Sequence, residues 1–191
     1  MQKIILASQS PRRKILLEQL GLQFTCIPAY IDEKNPPNHS PIEAVRAIAQ
    51  MKAAWVAGQC KTGLIIAADT VVICAGRVLG KPVDSEDAFA SLALLSGQSH
   101  QVVTALCLYD AARGNYFLEH EVTRVFFRII EEEEIRAYIR SGEPMDKAGA
   151  YGIQGRGAVF VTRIEGCYFN VVGLPLYRLD KMLKEQGIAV L

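Results

Sequence analysis

Four short stretches of the chain carry side chains suited to phosphate chemistry. In Ser8-Gln9-Ser10-Pro11-Arg12-Arg13, two hydroxyls and two guanidinium groups meet the start of a predicted helix, with Ser10 as N-cap and Pro11 at the first helical position. A helix N-terminus is partly positive and presents unpaired N–H groups, so two arginines there oppose the dipole. A bound anion such as phosphate reverses that sign. On this stretch alone, arginines that simply point into solvent are an equal alternative. In Ala67-Ala68-Asp69-Thr70-Val71-Val72, a lone carboxylate interrupts an apolar strand, where burying it unpaired is costly. It is expected at a strand end or bulge, facing a cation, a metal or a reacting group. The rival reading is a salt bridge inside the core, and function is the stronger of the two.

Gly80-Lys81-Pro82 holds a lysine between a flexible and a rigid residue, although a plain turn with an exposed lysine is the commoner use of such a tripeptide. The fourth stretch is Asp146-Lys147-Ala148-Gly149-Ala150-Tyr151-Gly152-Ile153-Gln154-Gly155. Its glycines let backbone approach a ligand, and the Gln154 amide offers both a donor and an acceptor to a base edge. The spacing matches neither a Walker A loop nor a dinucleotide fingerprint, and a mobile surface loop is the alternative. Together the parts suit a nucleoside triphosphate: basic groups for the phosphates, carboxylates for a metal, a polar loop for the base. Hard carboxylates without a soft-ligand cluster favour Mg²⁺ or Mn²⁺ over zinc.

The elements that must position these groups follow from the apolar pattern. A buried strand over Ile4 to Ala7 leads into the first helix, whose apolar face is Ile15, Leu16 and Leu20 and which ends at Gly21. A short strand at Phe24 to Ile27 and a polar, proline-containing loop from Asp32 to Asn38 come next. The capping box Ser40-Pro41-Ile42-Glu43 opens a helix through Ala57, with Val45, Ile48 and Trp55 inward. Leu64 to Cys74 is a long apolar strand. Asp84-Ser85 caps a helix carrying Phe89, Leu92 and Leu95, which stops at Ser96-Gly97. His100 to Tyr109 and Tyr116 to Arg128 form a long hairpin. Glu131 to Glu134 fill the first turn of a helix ending at Gly142, where acidic residues favour the dipole. A strand at Val159 to Ile164 and a helix from about Leu174-Pro175 complete the chain. The order predicts a mixed α/β sheet flanked by helices.

Composition excludes several classes. The 191 residues, half of them hydrophobic and 21% charged, allow one domain or two small lobes. With net charge +1 there is no global field to hold nucleic acid, so any anion site is local. No apolar run approaches membrane-spanning length, and the first residues are too short for a signal peptide. Cys26, Cys60, Cys74, Cys107 and Cys167 are odd in number and scattered, which suits a reducing cytoplasm. His39, His100 and His120 are equally dispersed, against a structural zinc site.

The ordered set of motifs resembles the Maf family. The match runs from Leu6-Ala7-Ser8-Gln9-Ser10-Pro11-Arg12-Arg13 through Lys52-Ala53, Ala68-Asp69-Thr70, Gly80-Lys81-Pro82 and Leu95-Ser96-Gly97-Gln98-Ser99-His100. It continues through Asp146 to Gly155 and ends with Asn170-Val171-Val172-Gly173-Leu174-Pro175. The resemblance implies an elongated, two-lobed Maf/ITPase-like fold with a central cleft, the whole of 1–191 forming one such domain. It also implies a metal-dependent nucleoside triphosphate pyrophosphatase. By the resemblance, Asp69 is the catalytic proton acceptor and, with Glu33, a metal ligand, the two roles of Asp69 remaining open. Ser8, Arg13, Lys52 and Lys81 line the phosphate site, and Arg12, Thr70 and Gln154 bear on substrate choice. The Ala-Gly-Ala-Tyr-Gly-Ile-Gln-Gly loop is similar to the branch acting on dTTP and UTP. The alternatives it leaves are a 7-methyl-GTP or other modified-nucleotide pyrophosphatase, and a non-enzymatic nucleotide-binding regulator of cell division, since the family is associated with septum formation. The expected partner is the nucleotide, without nucleic acid or membrane, and a homodimer is an open alternative for the assembly.

Overall fold

The apolar runs and helix caps become strands and helices in the computed structural model, which describes residues 3–32 and 39–191. In chain order these are β1 (Ile4–Leu6), α1 (Pro11–Gln19), β2 (Phe24–Cys26), α2 (Pro41–Ala57), β3 (Leu64–Cys74), β4 (Arg77–Leu79), α3 (Ser85–Leu95), β5 (Ser99–Asp110), β6 (Asn115–Phe127), α4 (Glu132–Arg140), β7 (Val161–Glu165), α5 (Tyr168–Val172) and α6 (Leu176–Glu185). Short 3₁₀ turns occupy Glu143–Asp146, Ala148–Ala150 and Arg156–Phe160.

The seven strands form one mixed sheet in the order β2-β1-β3-β5-β6-β7, with β4 paired to β3. β1 is parallel to both β2 and β3, with Leu6 opposite Cys26 on one side and Ile66 on the other. β4 returns antiparallel to β3 through a two-residue turn, Ala75-Gly76, in which both residues have positive φ (47° and 76°). That is the backbone a tight hairpin needs. β6 and β7 are antiparallel, with a register shift at Phe126/Phe127.

The chain divides into two interleaved units. Unit 1 comprises Met1–Asp69, Thr104–Glu121 and Gly173–Leu191, and unit 2 comprises Thr70–Val103 and Val122–Val172. In unit 1, α1 is capped by Ser10, α2 carries the complete Ser40/Glu43 capping box, and Val45, Ile48, Ala49, Ala53 and Val56 are buried along α2. The buried residues of α1 are Leu16 and Leu17. Ile15, expected on the apolar face, is instead 57% exposed, because the inward stripe lies one position further along the helix. Trp55 is half-buried and meets Tyr30 edge-on at 5.5 Å.

The core of unit 2 gathers Val72 and Cys74 of β3, Leu92 and Leu95 of α3, Val125 and Phe127 of β6, Ile135 and Tyr138 of α4, and Tyr151 and Phe160 from the late loop. β7 begins at Val161 rather than Val159, whose side chain is exposed within a 3₁₀ turn. α4 begins with the expected acidic turn, and Glu131 and Glu134 close a capping box across it.

Candidate active site

The parallel ladder decides where the first motif goes. The Ala7 amide donates to the Ile66 carbonyl at 2.8 Å, so Ser8 leaves the carboxyl end of β1 beside the stretch of β3 that runs from Ile66 to Asp69. In open α/β sheets, ligands bind beyond such strand ends. The Ser8 hydroxyl accepts the Ser10 amide at 3.1 Å, and the Ser10 hydroxyl caps α1 at the Arg13 amide. Arg13 does not simply point into solvent. Its Nε donates to the Gly173 carbonyl at 2.8 Å and its Nη1 to the Ser8 hydroxyl at 3.4 Å, which ties the first motif to the last. Arg12, beside it, is half-buried.

Asp69 is the sixth of the eleven residues of β3, in mid-strand rather than at an end or bulge. Lys52 explains how it is tolerated there. Lys52 Nζ donates to Asp69 Oδ1 at 2.7 Å, and the two residues are only 7% and 9% exposed. Asp69 is thus salt-bridged inside the core, and its partner is another candidate site residue. A buried pair of this kind is weak support for stability, since desolvation offsets its attraction, but breaking it strands a charge. Lys52 was legible as an oddity. It shares the face of α2 defined by Val45, Ile48, Ala49, Ala53 and Val56, where an apolar residue would be expected.

Ser8, Arg12, Arg13, Lys52 and Asp69 belong to unit 1, whereas Thr70, Lys81 and Gln154 belong to unit 2. Thr70 follows Asp69 directly in β3 and is half-buried. Within unit 2 the Gly149 amide donates to the Gly80 carbonyl at 3.0 Å, joining the Lys81 turn to the late loop. Lys81 and Gln154 are exposed, and neither makes a hydrogen bond or ion pair among the described residues. Glu33 lies outside the described residues. A cavity of about 480 Å³ in unit 1, lined by Lys3, Thr62, Gly63, Asp110 and Arg113 among others, contains none of these candidates.

The glycines of the late loop have a cause the sequence did not disclose. A Cβ on Gly149 would come within 2.9 Å of Val72, and one on Gly152 within 2.7 Å of the Lys147 side chain. On Gly155 it would lie 2.3 Å from the Glu143 carboxylate, and on Gly157 2.8 Å from the Tyr138 hydroxyl. The close approach these positions allow is made by the chain's own side chains. Glu143 and Tyr138 were not singled out by the sequence, because no local pattern marks a carboxylate that organises a turn more than ten residues away.

His100 ends the Leu95-to-His100 motif and carries no assigned role in the sequence reading. It is 2% exposed, with Nε2 2.8 Å from the Tyr151 hydroxyl and its ring edge-on to Phe127 and Tyr151. Nδ1 has no partner among the described residues. Burial alone lowers its pKa from 6.5 to about 4, so the ring is neutral at physiological pH.

A divalent cation can be tested against the donor set. Among the described residues no group of three or more His, Cys, Asp or Glu side chains is placed to hold a metal unaided. Mg²⁺ commonly takes one or two carboxylates and completes its shell with phosphate oxygens and water, so Asp69, of which Lys52 engages Oδ1, fits a cation that arrives with a triphosphate through Oδ2. No helix among the described residues is long and apolar enough to cross a membrane.

Comparison with known proteins yields one family and many relatives. Residues 3–186 match the family model described as Maf-like protein. A dTTP/UTP pyrophosphatase of Syntrophomonas wolfei is 54% identical over 97% of this chain and 98% of its own. One of Pelotomaculum thermopropionicum is 53% identical over the full length of both chains. Another, of Moorella thermoacetica, is 49% identical over 100% of this chain and 98% of its own.

Proposed function

Because the chain belongs to the Maf family, we propose that it hydrolyses dTTP and UTP to the nucleoside monophosphate and pyrophosphate. The observation that carries the chemistry is the buried Asp69–Lys52 pair at the end of the ladder that delivers Ser8 and Arg13. The choice of substrate draws its support from relatives about half identical over their whole length, whose names specify dTTP and UTP.

The reaction adds water across the bond between the α and β phosphates. The water oxygen bonds to the α-phosphorus, the bond to the bridging oxygen breaks, and pyrophosphate leaves. Asp69 accepts the proton that the water loses. Lys52, bonded to Oδ1, holds the carboxylate in one orientation and balances its charge in a site with little water. Arg13, fixed by Gly173 and Ser8, and the exposed Lys81 present positive charge to the phosphates and the leaving group. Asp69 and Glu33 would hold a Mg²⁺ or Mn²⁺ ion bound to the triphosphate, and the ion would neutralise phosphate charge there. Gln154 supplies the amide that pairs the base, and Arg12 and Thr70 bear on substrate choice. Uracil and thymine offer two carbonyls flanking an N–H, which one amide can pair by donating and accepting. The larger, cationic 7-methylguanine presents a different edge. This reading keeps the protein an enzyme and not a binding regulator, since binding alone needs no positioned base.

The test is a pyrophosphate-release assay on UTP, dTTP, CTP and 7-methyl-GTP, with Mg²⁺ and with chelator. UTP and dTTP are expected well ahead in kcat/KM, and chelator is expected to stop release. A preference for 7-methyl-GTP would refute the choice of base and leave the pyrophosphatase chemistry standing.

A further inference from the structure

The Gln154 turn is held from behind by one carboxylate. Glu143, in the 3₁₀ turn after α4, accepts the Arg156 amide on Oε2 at 2.9 Å, and the Gly157 amide on Oε1 at 3.3 Å. The Tyr138 hydroxyl donates to Oε1 at 2.8 Å and itself accepts the Gly152 amide at 3.0 Å. The backbone is thus fixed at 152, 156 and 157, on both sides of Gln154, by one acid and one phenol. Lys147 adds a bond to the Glu143 carbonyl at 2.6 Å.

The fit is close at three positions: a Cβ at 152 or 155 would displace the Lys147 or Glu143 side chain from its bonds, and one at 157 would strike the Tyr138 hydroxyl and the Gly152 backbone. Glu143 is suited to the task. Burial raises its pKa, but the bonds from Arg156, Tyr138 and Gly157 and the Lys147 charge outweigh that, so it stays ionised. Tyr138 shifts the other way. Burial raises its pKa, and despite the opposing bond from the Gly152 amide it remains a neutral donor.

We propose that Glu143, acting with Tyr138, is a positioning residue for nucleobase selection, pinning the Gly152–Gly157 turn so that the exposed Gln154 amide meets the base in one place. The proposal rests on the reading of Gln154 as the base contact. A primary amide can turn over and pair with cytosine as readily as with uracil. Discrimination then depends on where the backbone holds that amide, which is what the carboxylate controls.

Glu143→Gln keeps the shape but turns an N–H₂ group toward one of the backbone donors. Tyr138→Phe removes only the hydroxyl, and serves if the first variant folds poorly. Two measurements on the full chain decide the matter. Amide hydrogen exchange at Arg156 and Gly157, without nucleotide, is expected to quicken at least roughly tenfold in Glu143→Gln, the scale of a lost charged hydrogen bond. Steady-state kinetics with UTP and CTP are expected to show the UTP/CTP ratio of kcat/KM falling roughly tenfold. The fall should come through KM for UTP, with kcat little changed. The double variant Glu143→Gln, Gln154→Ala should discriminate no worse than Gln154→Ala alone.

Unchanged exchange overturns the clamp. Equal losses for both nucleotides, or additive effects in the double variant, overturn the positioning role. If Gln154→Ala keeps the wild-type UTP/CTP ratio, the base contact itself is wrong. Faster exchange in Glu143→Gln would separate that failure from failure of the clamp.

Discussion

Replacing His100 with glutamine should remove a defined part of the protein's sensitivity to acid. The folded state holds this ring neutral because burial lowers its pKa to about 4 from the ordinary 6.5. Between those values the unfolded chain binds a proton that the folded chain refuses, so stability falls as pH drops through the window. Above pH 6.5 neither state is protonated and the effect vanishes. Below about 4 both are, and the loss stops growing. At 1.36 kcal/mol per unit, the full displacement corresponds to about 3 kcal/mol, of which about 2 kcal/mol has been lost by pH 5. Burial is the sole cause of the shift and the side chain is 2% exposed, so solvent screening does not discount the figure. Urea denaturation of wild type and His100→Gln at pH 7.5 and pH 5 measures it. The wild type should lose about 2 kcal/mol more than the variant over that step. His120, whose pKa is also lowered, chiefly by burial, contributes equally to both proteins and cancels. The carboxylates held below their ordinary range, Glu43, Glu134 and Glu143, begin to lose their contribution only as pH falls below about 4.5. Any fixed cost of fitting glutamine beside Tyr151 is the same at both pH values. Identical losses in the two proteins would refute the assignment of a buried, neutral His100.

Asp69→Asn should cut turnover by ~10²–10⁴-fold, the usual worth of a general base, and should lower Tm because Lys52 stays buried beside a neutral amide. Adding Lys52→Met should recover part of the Tm but none of the activity, and near-wild-type turnover in Asp69→Asn would refute its role. Arg13→Ala and Lys81→Ala should each reduce kcat/KM by ~10–100-fold, as expected for a lost charged contact. Only Arg13→Ala should also lower Tm, because Arg13 alone of the two bonds Gly173 and Ser8; unchanged kcat/KM in both would return the cations to solvent. In maleimide labelling of the native protein, exposed Cys26 should react rapidly. Cys107, buried and pushed up to about 12 by that burial, should react only on unfolding, and equal native rates would contradict its placement.

The parts of the fold that local chemistry controls could be read from the residues. Ser10-Pro11, Ser40 with Glu43, and Asp84 cap their helices as their types suggest, and the Leu64–Cys74 run is a strand over its full length. The parts set by distant packing could not. Ile15 has the spacing of a core residue, yet tertiary contacts chose Leu16 and Leu17. β4 is a three-residue strand that exists because Ala75-Gly76 turns the chain back on β3, and α5 is too short to show a period. Asp69 was recognisable from its cost in an apolar run, but its partner lies seventeen residues away on another element. The late loop hides a packing cause: a Cβ on its glycines would meet Glu143, Tyr138, Lys147 or Val72, side chains that no local pattern connects to it.

The bond from Arg13 to Gly173 also sets a timetable for biosynthesis. The two residues are 160 positions apart, and unit 1 is closed only by the segment Gly173–Leu191. At ~5–20 residues per second, the arginine waits roughly 10–30 s on the ribosome before its anchor has even been made. Until then β1 and α1 can exist, but the Arg13 guanidinium lacks its bond to the Gly173 carbonyl. Premature termination anywhere before Gly173 should release a protein whose first motif is present in sequence and never completed in space.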